Sequence, residues 1–142
     1  MASVFDVSAY ILKKTGPISA MKLQKLAYYA QAWSLVWDDA PLFSERIEAW
    51  ANGPVCPDLY FAHQGEFTVG TESRGDAKKL KKIQRETIDS VLKHYSKKTA
   101  HWLSELTHRE APWKEARKGL PEGARSNQVI THAAMANYYS EL

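Results

Sequence analysis

The sequence predicts a mostly α-helical protein, a compact bundle around one central apolar helix, with a small β element near residues 43–70. Three observations carry that prediction. Residues 20–37 (AMKLQKLAYYAQAWSLVW) are apolar around most of a helical circumference, the pattern of a helix with other elements packed around it. Amphipathic segments with helical periodicity flank it on both sides. Between them, residues 42–51 fit neither a period of two nor one of 3.6, and they lead into the corner Asn52-Gly53-Pro54.

Each element has a local reason. Val4, Val7, Ile11 and Leu12 place a first helix over residues 4–14, which Thr15-Gly16-Pro17 stops. Ser19 is suited to cap the central helix, where Leu23, Leu26, Ala30, Trp33 and Trp37 recur every three or four residues. Asp38-Asp39-Ala40-Pro41 ends it. Residues 42–51 read as short extended structure with a turn. Pro57 suits the first turn of a short helix reaching about Gln64, and Phe67-Thr68-Val69, between Gly65 and Gly70, reads as a short strand. Asp76 is expected to cap a long amphipathic helix to about Lys97, with Leu80, Ile83, Thr87, Val91 and Tyr95 on its apolar line. Thr99 suits the cap of a helix containing Trp102, Leu103 and Leu106, and Pro112, beside Trp113, lies near another helix start. Gly119 to Gly123 form a loop, and Ser126 is expected to cap a last helix holding Val129, Ile130, Ala133 and Tyr138.

The length of 142 residues suggests a single domain over 1–142, large enough to bury a core without disulfides or metal. One cysteine, Cys56, rules out an internal disulfide and fits a reducing compartment. No apolar run approaches the roughly 18 residues of a membrane span, and the N-terminus lacks the basic and apolar regions of a signal peptide. A soluble cytoplasmic protein is the expectation. The overall charge of +3 is uneven. Residues 74–98 hold nine basic and three acidic residues, a net of +6, so the rest of the chain carries −3. Lys78, Lys79, Lys81 and Lys82 head this basic helix.

Candidate chemistry is thin. His63, His94, His101, His108 and His132 share no zinc-ligand spacing, so no metal and no cofactor is expected. A Cys56–His63 nucleophilic pair is conceivable, but no oxyanion-hole signal accompanies it, and a lone Cys is more often a small buried hydrophobe. Gly65, Gly70 and Gly75 are too far apart to cradle a phosphate. Helix, turn and helix over residues 4–37 could form a helix-turn-helix, yet its second helix offers a base edge only Lys22, Gln24, Lys25 and Gln31. No enzyme is expected. The residues leave open a solvated basic face, a face for an acidic protein, or a phosphate-binding helix over 78–98.

The segment Leu23–Trp33 (LQKLAYYAQAW), followed by Pro41–Tyr60 (PLFSERIEAWANGPVCPDLY), resembles the Panacea domain of SocA-like antitoxins, once catalogued as a phage-associated domain of unknown function. Leu103–Trp113, the turn before Ser126, and Ile130 through Tyr139 are similar as well, so the resemblance spans about residues 5–140. Asn52 stands where an aromatic or Lys-like residue is common, and Cys56 where an aliphatic one is. The resemblance implies that Leu23, Leu26, Trp33, Trp50, Gly53, Pro54, Val55, Pro112 and Trp113 are the structural motif. It implies an antitoxin that neutralises a cognate toxin by direct protein contact. Toxins of this kind include translation-arresting, nucleotide-transferring enzymes related to alarmone synthetases. Alternatives are a nucleic-acid-binding regulator using the basic helix, and an adaptor that delivers its toxin to a cytosolic protease. The 142 residues leave no room for the fused DNA-binding module some members carry, so autoregulation through one is not expected. Candidate toxin contacts are the exposed members of Lys22, Lys25, Tyr28, Tyr29, Trp50 and Asn52, because aromatic and cationic residues dominate interface hot spots. The lysines at 78, 79, 81 and 82 form a second candidate face.

Overall fold

The computed structural model describes residues 2–142. Among these are seven α-helices and two small antiparallel two-stranded sheets. The first helix, α1 (Val4–Thr15), starts where its apolar spacing places it, and Ser3 and Asp6 cap it with a reciprocal capping box. A two-residue strand, β1 (Ile18–Ser19), precedes α2 (Ala20–Trp37), the predicted central helix, whose first turn is capped by Ser19. Leu23, Leu26, Tyr29 and Ala30 are fully buried, and α2 packs against α1, against four of the later helices, and against the strand Gly53–Val55.

The ambiguous stretch resolves into β2 (Glu48–Trp50), which pairs with β3 (Gly53–Val55) around a two-residue turn, Ala51-Asn52. Helix α3 (Pro57–Ala62) follows, with proline in its first turn. Strand β4 (Thr68–Val69) then returns to pair with β1, Ile18 opposite Val69. Because β1 stands between α1 and α2, and α2 is enclosed, this segment is not an exposed helix-turn-helix.

Two expected helices differ from the sequence reading. Asp76 caps only a 3-10 turn over Ala77–Lys79, and the chain is extended at Leu80 before α4 (Lys82–Tyr95) begins. The break follows from packing. Leu80 is buried, and Gly75 passes so close to α1 that a Cβ there would lie 2.2 Å from the Phe5 carbonyl. Ile83, placed on the apolar line by periodicity, is largely exposed. Helices α5 (Ala100–Arg109) and α6 (Ala111–Ala116) are as the Thr99 and Pro112 signals indicate.

The last helix is the second difference. Ser126 does not cap it; α7 (His132–Tyr139) begins after Thr131, whose hydroxyl accepts from the Ala134 amide. Val129 and Ile130 instead run extended along β2, where Ala49 N–H donates to Gln128 (2.9 Å) and Ile130 N–H donates to Ile47 (2.8 Å). The free edge of a two-stranded hairpin needs partners for its backbone groups, and that demand overrides the weak helical pattern of residues 126–131.

Candidate functional site

The two halves of the sequence motif meet in one corner. In Leu23-Gln24-Lys25-Leu26 the leucines enter the core while the polar pair holds the β2–β3 hairpin. The Gln24 amide brackets the Cys56 backbone, donating to its carbonyl (3.2 Å) and accepting from its N–H (2.9 Å). Lys25 donates to the Pro54 carbonyl at 3.2 Å. Gly53 has φ of +124°, a conformation that side chains strain to adopt. A Cβ there would also stand 2.7 Å from Lys25 Cε. Helices α5 and α6, with Arg117 just past the end of α6, supply the remaining donors: Ser104 to Asn52 (2.6 Å), Trp113 Nε1 to Trp50 (2.8 Å) and Arg117 to Ala49 (3.0 Å), all at backbone carbonyls. The corner is thus fixed from two sides. Gln31 repeats the device further along α2, bracketing Phe43 and Leu42.

This corner forms one wall of a groove of about 790 Å³. Met21, Trp50 and Tyr60 supply much of its apolar lining, and Gln24, Lys25, Glu48 and His63 its more buried polar groups. Trp50 stands edge-on to Tyr60 at 4.8 Å, and its indole N–H donates to Glu48 at 2.8 Å. Glu48 also pairs with Arg46 at 2.6 Å. Beside the groove, Tyr60 contacts Phe61 at 5.4 Å, and Phe61 is exposed. Phe67, 85% exposed, lies where its carbonyl accepts from the Ala20 amide at the start of α2.

Lys25 is the electrostatic exception. Its side chain is enclosed, with 1% exposure, and it forms no ion pair among the described residues. Burial alone pulls its pKa down to about 8. His63 has a partner: its Nε2 lies 2.6 Å from Glu72, which also accepts from Ser8 and pairs with Arg74. The conceivable but unexpected Cys56–His63 pair is therefore not assembled. Burial pushes the Cys56 thiol up to about 11, which keeps it protonated near neutral pH. Among the described residues no three His, Cys, Asp or Glu side chains converge as a metal site, and no helix is long and apolar enough to cross a membrane.

The candidate contacts separate by burial. Tyr28 and Tyr29 are interior and offer no surface to a partner; Lys25 is as enclosed but borders the groove, Lys22 and Trp50 are half-buried, and Asn52 is exposed. The tyrosines belong to a core network. Tyr29 and Tyr139 both donate to Glu110, at 2.6 and 2.8 Å, and the Tyr28 hydroxyl lies 3.0 Å from that of Tyr139. Burial raises the Glu110 carboxyl above its ordinary range, against the lowering effect of the two tyrosine hydrogen bonds. Of the structural motif, Leu23, Leu26, Gly53, Pro54, Val55 and Pro112 are buried. Trp33 and Trp113 are half-buried, Trp33 donating to Tyr95 at 3.1 Å and Trp113 stacking on His108 at 4.1 Å. Lys78, Lys79, Lys81 and Lys82 are exposed, and none lines the groove. Sequence reasoning did not single out Met21, Glu48 or Tyr60. Their signal was present: Glu48 and Tyr60 flank the corner within one quoted segment, and Met21 precedes the polar pair.

Residues 23–114 match the family described as "Antitoxin SocA-like, Panacea domain". Comparison with curated proteins and with solved structures gives no match.

Proposed function

The chain belongs to the family of SocA-like antitoxins with a Panacea domain, and from that premise we propose that it neutralises a cognate toxin by binding it through the groove beside the β2–β3 corner. The observation that supports this face is the aromatic-lined groove itself, set on a hairpin held rigid from α2, α5 and α6. A preformed surface loses little ordering entropy on binding. Trp50, Tyr60 and Met21 supply the large side chains that carry interface energy. The protein acts in the cytoplasm as one domain over residues 1–142, by occupancy and not by catalysis. Toxins of the translation-arresting, nucleotide-transferring kind related to alarmone synthetases are among the candidates for its partner.

Co-expression with the product of the neighbouring gene tests the reading. Growth arrest by that product alone, relieved by this chain, is the expected result; arrest that persists with this chain present defeats it. Toxin abundance separates direct inhibition, which leaves it unchanged, from delivery to a protease, which lowers it. Trp50→Ala is expected to abolish relief while costing only about 2 kcal/mol of stability, less than a fully buried Trp would, because the ring is half-buried. Retained relief in that variant moves the contact elsewhere.

A further inference from the structure

The groove's enclosed polar groups are already matched, with one exception. Gln24 is engaged by Cys56, Glu48 by Arg46 and Trp50, and His63 by Glu72. The Lys25 ammonium has a single carbonyl at 3.2 Å and no counter-charge. An enclosed ammonium without an anion is costly, and hydrogen bonding to one neutral carbonyl offsets only part of that cost. What Lys25 lacks is a negative charge, not another neutral hydrogen bond. On its rim Arg125 and Glu66 are both exposed and of opposite sign, so they set no net preference.

We propose that the groove receives an acidic side chain of the partner protein, an Asp or Glu between apolar neighbours, with its carboxylate set toward Lys25 and the neighbours covering Met21, Trp50 and Tyr60. The inference rests on the groove being the toxin-binding face. Closure of the groove by the bound segment lowers the local dielectric, so the attraction between carboxylate and ammonium strengthens as water leaves. A neutral amide of the same shape accepts a hydrogen bond from Lys25 but brings no counter-charge, so it gains less. Selectivity between Glu and Gln is therefore the signature that separates this site from a merely apolar groove.

The test needs no toxin. Acetyl-Phe-Glu-Phe-amide and its Gln counterpart are titrated into the ¹⁵N-labelled native chain, following the Trp50 indole and the Asn52 and Gly53 amides. The Glu peptide is expected to bind roughly tenfold tighter or more, with shifts at those three signals, and Lys25→Met is expected to level the two peptides while leaving a dispersed spectrum. Equal binding of the two peptides to the native chain, or no shift at the corner with either, overturns the proposal. So does binding of 3-phenylpropionate, run as a third arm, without binding of the Glu peptide, since that makes the site one for a small carboxylate. A Glu preference in a chain that fails to relieve toxicity would defeat the antitoxin reading alone. Relief of toxicity without the preference would defeat this inference alone.

Discussion

Two successive turns of α2 treat buried polar groups in opposite ways. Toward its middle, Tyr28 and Tyr29 join Tyr139 and Glu110 in a closed network, in which every hydroxyl has a partner and the one carboxylate accepts twice. One turn earlier, Lys25 is equally enclosed but keeps an uncompensated charge beside an open groove. The closed network ties α2 to α7 and to the α5–α6 junction, and nothing in it reaches solvent. The open corner is as well braced, yet it leaves electrostatic energy to be gained by a second molecule. A buried polar group that is satisfied marks scaffold; one that is not marks a place where something else belongs.

The comparison breaks most sharply at Glu110. Glu110→Ala strands two tyrosine hydroxyls in the core and should cost about 3–5 kcal/mol in urea denaturation. Glu110→Gln, which keeps an acceptor, should cost far less. The sign with pH is fixed by the raised carboxyl. Above the ordinary value of 4.5 the native state holds a proton that the unfolded state has released, so stability falls as pH rises through the native pKa. The Gln variant should lack that fall, and an identical acid profile in both proteins would separate Glu110 from the effect.

At the open corner the largest effect is conformational. Gly53→Ala combines a backbone at φ of +124° with a Cβ 2.7 Å from Lys25 Cε. It should lower stability by on the order of 3 kcal/mol and displace the hairpin. Full stability in this variant would show that the corner yields and is not the rigid surface described above.

Lys25 sharpens the contrast through pH. Between about pH 8 and 10.5 the unfolded lysine keeps its proton while the buried one has lost it, so stability rises with pH over that window. The gain is on the order of 3 kcal/mol. Cys56 and the buried tyrosines, all with raised pKa values, pull the other way at higher pH. The readout is therefore the difference between the native chain and Lys25→Met, in which those contributions cancel. That difference should shift in favour of the native chain from pH 8 to 10.5, and a flat difference would mean that Lys25 titrates as if in water.

Much of the scaffold was legible in the sequence. Helix α2 was visible over its full length, because a segment apolar on most sides has one stable place in a fold. The caps Ser19 and Thr99 and the prolines at 57 and 112 marked helix starts correctly, since these signals act within a turn. The errors lie where a distant segment decides. Val129 became extended because β2 offers a free edge, and the helix at 76–97 broke at Leu80 because α1 passes beside Gly75. The site was half legible. The corner was recognised from Asn52-Gly53-Pro54, but Lys25, Tyr28 and Tyr29 look alike in sequence as large side chains on α2. Only packing assigns two of them to a closed network and one to the floor of a groove.

The smallest expected effect concerns the basic face, which serves as the control. Lys78 and Lys79 sit in the 3-10 turn, and Lys81 and Lys82 at the start of α4, all exposed. Reversing all four to Glu changes the charge by eight units, but the local consequences oppose one another. Acids at 81 and 82 suit the positive end of the α4 dipole better than lysines do. An acid at 79 loses the attraction that Lys79 exerts on the Asp6 carboxylate of the α1 capping box. The melting temperature should therefore stay within about 2 °C of the native value. Toxin relief should persist as well, because none of the four lines the groove. Loss of relief in a folded quadruple variant would place the principal contact on the basic turn and reduce the open corner to scaffold, erasing the functional distinction between these two turns of α2.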